Sequence, residues 1–429
     1  MDTIRIRGGV PLSGELAVSG SKNAALPILA AALLIREPIE LTHLPNISDV
    51  ADMLGILASR GALIERAGER CRIRAPLIPC METVCEEGRL RGSLYLLGAM
   101  LGAYGEARVA LPGGCDLGGR PFDLHLEALS ALGAEVAVGD GVISARAARL
   151  RGTEYTFPAV SVGATVNAIL AATAAKGKTV LRGAAREPHI VDLIAFLNSA
   201  GAEILVPTPG VIVVNGAKPL HATKHWIIPD MIEAGTYLLA ATATRGNICL
   251  RNAPIGQLAS LFKPLSEMGA HLSLWRSGEI ELRALERPRP TDLVAEPYPG
   301  FPTDLHPQAA AVLSLARGES RITEKVFPGR FRYVLGLSEL GADLKNEGAV
   351  LNIRGVETLH GATVRVPDLR GGASLLIAAL AAEGETRLLG TSHLARGYAS
   401  LIPRLRSLGA IIEDGGGASA SLLREDRRE

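Results

Sequence analysis

Aromatic residues are scarce in this chain. They make up 4% of its 429 positions while apolar residues make up 48%, so any core must be built from aliphatic side chains. Cysteine is equally sparse. Cys71, Cys80, Cys85, Cys115 and Cys249 are odd in number, irregularly spaced and never form a Cys-x-x-Cys pair. That pattern indicates neither a disulfide framework nor a zinc site. No His-Glu-x-x-His or other metal spacing is present, and no metal is expected. Charge of one sign is lacking too: the net charge of +1 excludes a chain-wide footprint for nucleic acid or a membrane surface. The longest apolar run, residues 24–35, is shorter than the ~20 residues a membrane span needs. Residues 1–7 alternate like a strand and lack the apolar stretch of a signal peptide, so a reduced, cytoplasmic protein is expected. At 429 residues the chain is too long for one ordinary core.

What the chain does have is a repeat. A Gly-Ala pair recurs at Gly61, Gly133, Gly201, Gly269, Gly341 and Gly409, with spacings of 72, 68, 68, 72 and 68 residues. Such a period is a whole supersecondary unit, not a short-period solenoid. Each unit reads as an alternating strand (4–6, 211–214, 350–353), a glycine turn and a second short strand (15–18, 363–366). A helix of small apolar residues follows, as at 24–34, 166–175 and 374–382, then a strand, a loop and an amphipathic helix running into Gly-Ala. A helix that is apolar all round must be buried on most sides, with strands outside it. Glycine just past the amphipathic helix fits a left-handed C-cap.

Measured against that ruler, unusual residues fall at two phases. At the start of the small-residue helices stand Lys22-Asn23, Arg91, Ser161-Val162-Gly163, Asp230 with Glu233, Asp304 and Arg370. Asp230 and Asp304 are as readily helix caps as functional groups. Cations are disfavoured at a helix N-terminus, so Lys22, Arg91 and Arg370 point to a bound anion. In the loop before the second helix stand Asp49, Arg120, Glu187, Arg330 and Arg396. A lone loop arginine is usually solvated; three at equivalent positions suggest a basic pocket for phosphate and carboxylate groups. Between them, 111–121 holds four glycines around Cys115, a thiol near Arg120 that could act as nucleophile or proton donor. It is no phosphate-binding P-loop, because the Lys-Ser/Thr ending is absent. His125, directly after this segment, could line the pocket.

Several of these segments together resemble one family. Ser19-Gly20-Ser21-Lys22-Asn23-Ala24-Ala25, Pro112-Gly113-Gly114-Cys115, Arg120-Pro121-Phe122-Asp123-Leu124-His125 and Phe301-Pro302-Thr303-Asp304 are similar to the UDP-N-acetylglucosamine enolpyruvyl transferases. So are Phe327-Pro328-Gly329-Arg330-Phe331, Asp368-Leu369-Arg370 and Arg396-Gly397-Tyr398, in the same order. The resemblance implies an α/β fold of the inside-out α/β barrel type, two domains of three repeats each. One would span 22–229, the other 1–21 with 230–429, and the active site would lie in the cleft between them. It implies transfer of the enolpyruvyl group of phosphoenolpyruvate to the 3-hydroxyl of UDP-N-acetylglucosamine, with release of phosphate, as the first committed step towards peptidoglycan.

By the same resemblance, Lys22, Arg120 and Arg396 would hold the phosphate, and Arg330 with Arg370 the carboxylate. Cys115 would protonate the methylene carbon, could form a covalent adduct, and would be alkylated by fosfomycin. Asp304 would accept the sugar hydroxyl's proton. Asn23, Arg91, Pro121, Phe122, Asp123, Leu124, Ser161, Val162, Gly163, Asp304 and Val326 would bind the nucleotide sugar. The partners would be these two small molecules, with no cofactor, nucleic acid, membrane or obligate protein partner. Ala159, His189 and Ala395 depart from the family pattern, where lysine, glutamate and aspartate are usual, and the stretch 71–89 matches poorly. Two alternatives are a paralogue using another nucleotide acceptor, such as uridine monophosphate, and a non-catalytic nucleotide-sugar-binding protein. Retention of Lys22, Cys115, Asp304 and the arginines argues against the second.

Overall fold

The computed structural model describes residues 3–82, 88, 90–111 and 122–415. Cys115, Arg120 and Pro121 lie outside the described residues. The chain divides into two compact units: a central one, Ser19–Asp230 with Pro297–Pro299, and a terminal one, Met1–Val18, Met231–Glu296 and Gly300–Glu429.

In the central unit the helices are α1 (Lys22–Ala31), α2 (Ser48–Ser59), α3 (Tyr95–Tyr104), α4 (Asp123–Ala131), α5 (Val162–Ala174) and α6 (Pro188–Ser199). In the terminal unit they are α7 (Met231–Ala243), α8 (Ala259–Glu267), α9 (His306–Leu313), α10 (Tyr333–Glu339), α11 (Leu369–Ala381) and α12 (Leu401–Ser407). The odd-numbered helices are those of small apolar residues, and they are buried along most of their length. Within the central unit α3 packs on α1 and α5; within the terminal unit α7, α9 and α11 pack on one another. Small side chains permit that closeness. A Cβ on Gly98 of α3 would stand 2.4 Å from the Asn167 carbonyl oxygen of α5.

The even-numbered helices end at the repeat glycines. All six adopt φ between +93° and +100°, the left-handed region where glycine carries no Cβ penalty. In each case the alanine amide after the glycine bonds back to a leucine five residues earlier: Ala62 to Leu57, Ala134 to Leu129, Ala202 to Leu197, Ala270 to Leu265, Ala342 to Leu337 and Ala410 to Leu405. This is the hydrogen-bond pattern of a Schellman cap. The underlying repeat is therefore Leu-x-x-x-Gly-Ala, six times over.

Among the described residues, strands form three sheets per unit. In the commonest pattern a hairpin pairs antiparallel with a third strand, and a short fourth joins in parallel, as in 203–208, 211–215, 178–182 and 154–156. One sheet of the terminal unit replaces the hairpin with the two ends of the chain, Thr3–Arg7 against Ile411–Asp414. Inward residues alternate with outward ones, as Leu351 and Ile353 do in Val350–Arg354. The fold is thus mixed α/β.

The small-residue helices begin earlier than their apolar runs suggest. α5 starts at Val162 because the Ser161 side chain accepts from the Ala164 amide at 3.3 Å. α11 starts at Leu369 because Asp368 accepts from the Arg370 and Gly371 amides, each at 2.9 Å. These caps draw Gly163 and Arg370 into the first helical turns.

Candidate functional site

The terminal unit holds a compact charge cluster. Asp304 sits in the turn before α9, and Arg330 in the turn between strand Glu319–Glu324 and α10. Arg330 Nη1 lies 2.7 Å from Asp304 Oδ1. Arg370 donates to Asp304 Oδ2 from Nε at 3.2 Å and from Nη2 at 3.0 Å. One carboxylate therefore bridges two guanidiniums, one oxygen to each. Both arginines are nearly buried, at 6% and 4% side-chain exposure, whereas Asp304 keeps 25%. The expectation that Asp304 might be no more than a helix cap does not hold: Leu305 occupies the N-cap position of α9. Its carboxylate goes to the arginines because two charge-assisted contacts outweigh one amide bond.

Behind this cluster stands a second carboxylate that the motif reading missed. Glu324 is fully buried and accepts at Oε1 from the Val326 and Phe327 amides at 2.6 and 2.8 Å. At Oε2 it accepts from Thr303 Oγ1 at 2.7 Å, and Thr303 in turn accepts from Arg330 Nη1 at 3.1 Å. His306 Nε2 lies 3.1 Å from Glu324 Oε2, at ion-pair distance but not aligned as a hydrogen bond. Burial lowers the His306 pKa and keeps the ring neutral. Burial alone would raise the Glu324 pKa, but the His306 ring beside it and the Thr303 and Phe327 donors outweigh it and hold the carboxyl below its usual range. A signal was available: Ser320, Ile322 and Glu324 share the inward phase of one strand, so a glutamate there needed an internal partner. The Arg370 guanidinium also lies 5.4 Å from the Tyr398 ring centroid.

The central unit holds a smaller charge pair. Lys22 opens α1, whose N-cap is Ser21, and its Nζ lies 2.6 Å from Asp49 Oδ2 in the first turn of α2. Asp49 is 2% exposed and Lys22 13%. The Lys22 amide donates to Asp230 Oδ2 at 3.0 Å. Residues of the two sequence phases thus meet directly, as Lys22 with Asp49 in one unit and Asp304 with Arg330 in the other.

Elsewhere in the central unit a neutral polar cluster joins three candidate segments. Arg91 opens the short 3-10 turn Arg91–Leu94, and Asp123 and Leu124 open α4 just after half-buried Phe122. Ser161, Val162 and Gly163 form the cap and first turn of α5, all half-buried. His125 and Asn167 lie among them, with Asn167 Nδ2 2.7 Å from His125 Nδ1. Burial, with the Arg91 charge adding to it, lowers the His125 pKa to about 4. Glu187, at the N-cap of α6, has its pKa raised by burial. Asn23 is the half-buried second residue of α1, Val326 is half-buried after the strand carrying Glu324, and Arg396 ends the 3-10 turn Thr391–Arg396. The departures Ala159 and Ala395 are exposed, and His189 is half-buried. Glu233, from the first sequence phase, is taken by Arg404 at 2.6 Å and is 2% exposed. Among the described residues no group of three or more His, Cys, Asp or Glu could hold a metal ion, and no helix is long and apolar enough to cross a membrane.

Comparison with known proteins gives a consistent result. The family model for EPSP synthase (3-phosphoshikimate 1-carboxyvinyltransferase) matches residues 6–405. A UDP-N-acetylglucosamine 1-carboxyvinyltransferase 2 of Mesorhizobium japonicum is 45% identical over 416 residues, covering 96% of this chain and 99% of that protein. A UDP-N-acetylglucosamine 1-carboxyvinyltransferase of Granulibacter bethesdensis is 43% identical over 417 residues, with the same coverage. Among solved structures, the enolpyruvyl transferase NikO from Streptomyces tendae matches with a TM-score of 0.87 at 28% identity, covering 96% of this chain and 98% of that one.

Proposed function

The chain belongs to the enolpyruvyl transferase family that takes in EPSP synthase and the UDP-N-acetylglucosamine 1-carboxyvinyltransferases, and we propose that it transfers the enolpyruvyl group of phosphoenolpyruvate to the 3-hydroxyl of UDP-N-acetylglucosamine. Phosphate leaves, and the product enters peptidoglycan synthesis. The observation that carries the reading is Asp304 held between Arg330 and Arg370. Two nearly buried guanidiniums form a fork for a carboxylate, and the one they now hold is the partly exposed one. The carboxylate of phosphoenolpyruvate takes over that fork, which frees Asp304 to accept the proton of the attacking sugar hydroxyl.

The rest of the assignment follows the family pattern. Addition joins the sugar oxygen to C2 of phosphoenolpyruvate while Cys115 delivers a proton to C3; elimination then removes that carbon's proton and expels phosphate. Lys22, Arg120 and Arg396 neutralise the phosphate as it leaves, and fixed charges of this kind need no reorganisation at the moment of reaction. Asn23, Arg91, Pro121, Phe122, Asp123, Leu124, Ser161, Val162, Gly163 and Val326 bind the nucleotide sugar. The three mutually packed helices of the terminal unit, with sheets exposing one face, support an inside-out barrel built of three repeats, and the central unit follows the same plan. We assign domains of 22–229 and of 1–21 with 230–429, both contributing to one reaction in the cytoplasm.

The test is phosphate release from phosphoenolpyruvate with UDP-N-acetylglucosamine, uridine monophosphate or shikimate 3-phosphate as acceptor. Release with the nucleotide sugar is expected. Release with another acceptor alone would overturn the reading. Fosfomycin should add its mass to the wild type and not to Cys115→Ala.

A further inference from the structure

We propose that His125 is a positioning residue of the nucleotide-sugar site, a neutral imidazole wedge on α4 that sets the spacing between the start of α4 and the N-terminus of α5. The proposal rests on the functional reading above and adds to it a residue that touches no substrate.

Three observations carry it. First, the ring is oriented from one side. Asn167 Oδ1 accepts from the Gly98 amide at 2.7 Å, and its Nδ2 donates to the Leu94 carbonyl at 2.9 Å and to His125 Nδ1 at 2.7 Å. The amide is thus fixed by two backbone partners, and its remaining donor makes Nδ1 an acceptor. The ring proton is assigned by this network to Nε2. Second, the opposite edge of the ring is wedged. A Cβ on Gly163 would stand 2.6 Å from His125 Cε1 and 2.7 Å from Nε2, closer than atoms pack. Glycine at 163 is therefore matched to histidine at 125. Third, the segments the wedge ties together are those that carry candidate ligand residues: α4 with Asp123 and Leu124, α5 with Ser161 to Gly163, and, through Asn167 and the Leu94 carbonyl, the turn that Arg91 opens. His125 is 5% exposed, so it acts through them and not on the ligand. Binding sites lose affinity when the side chains that lock their geometry are loosened, typically ~10- to 100-fold where such supporting shells have been altered.

The experiment is calorimetric binding of UDP-N-acetylglucosamine, with steady-state kinetics beside it. His125→Ala should weaken nucleotide-sugar binding about 10-fold or more while the KM for phosphoenolpyruvate moves less than about two-fold. His125→Asn keeps an acceptor where Nδ1 stood and should recover much of the loss; His125→Gln places its amide at the other ring position and should not. Gly163→Ala should weaken binding in the wild type and do so less in the His125→Ala background, where the new Cβ has room. Unchanged nucleotide-sugar affinity in His125→Ala, equal loss for both substrates, or additive effects of the two substitutions would overturn the proposal. Should His125→Ala fail to fold, equal affinities of the Asn and Gln variants would overturn it as well. Failure of the wild type to bind the nucleotide sugar would instead overturn the functional reading beneath it.

Discussion

The two clusters, one in each unit, treat buried polarity in opposite ways. The terminal unit concentrates charge: Asp304 between Arg330 and Arg370, with Glu324 fully buried behind them. The central unit also buries Asp49, Arg60, Asp192 and Asp230, but among its candidate acceptor segments it builds with neutral groups, an imidazole and an amide that hold helix ends at fixed distances. Charge kept nearly dry is costly unless matched, and its use is to meet an anion without reorganising. A neutral wedge costs less to bury and supplies shape. The difference suggests a partial division of labour: the general base and its arginine fork belong to the terminal unit, while the central unit joins an acceptor-fitting neutral cluster to Lys22, Cys115 and Arg120.

The sharpest way to break that comparison is to remove its central carboxylate. Asp304→Ala should lower kcat by about 10³-fold, within the range of a lost general base, while phosphoenolpyruvate binding changes far less. It should also destabilise the protein by about 3–5 kcal/mol, because two nearly buried guanidiniums then face each other without the carboxylate that joins them. Asp304→Asn restores an acceptor, so stability should partly return and turnover should not. Phosphate release and chemical denaturation measure the two effects separately; a variant that is stable and fully active would remove Asp304 from the mechanism.

The lysine of the central unit comes next. Lys22→Ala should reduce kcat/KM for phosphoenolpyruvate about 10²-fold, the scale of one electrostatic contact to developing charge. Smaller still is Glu324→Gln, which keeps one side-chain carbonyl acceptor but loses the charge that faces Thr303 and two backbone amides. A stability loss of about 1–3 kcal/mol and a several-fold rise in the KM for phosphoenolpyruvate are expected, since Thr303 also orients Arg330. Stability lost with KM unmoved would make Glu324 a purely structural group.

Periodicity made much of this legible. The Gly-Ala marks lie at helix ends because a left-handed cap needs glycine there, and the leucine five residues before each alanine is the other half of the cap. Lys22 and Arg370 stood out because cations at helix starts need a reason, Arg330 because arginine recurs at its loop phase, and Asp304 because it shares the phase of those cations, though a cap explained it as well. What could not be read was who pairs with whom. Lys22 to Asp49 spans one repeat, and Asp304 to Arg370 joins two, and neither contact follows from spacing. The neutral cluster was the least visible. Asn167 lies inside an apolar helix and His125 beside a cysteine segment, and their connection depends on the close packing of α3 on α5 that Gly98 permits.

A change of pH tests the neutral cluster without any substrate. His125 titrates at about 4 in the folded chain against 6.5 for an ordinary histidine. Between those values the unfolded chain binds the proton and the folded one does not, so stability is full above the unfolded value and is lost as pH falls towards about 4. The shift corresponds to a contribution on the order of 3 kcal/mol across that window, with buried His306 adding a term of the same sign. Thermal midpoints measured from pH 7 to pH 4 should therefore fall, and His125→Asn, which has no group titrating there, should show a shallower fall. Equal slopes in the two proteins would mean that His125 gains its proton without opposing Asn167 and Arg91, and the neutral wedge would then be no constraint on the helices it separates.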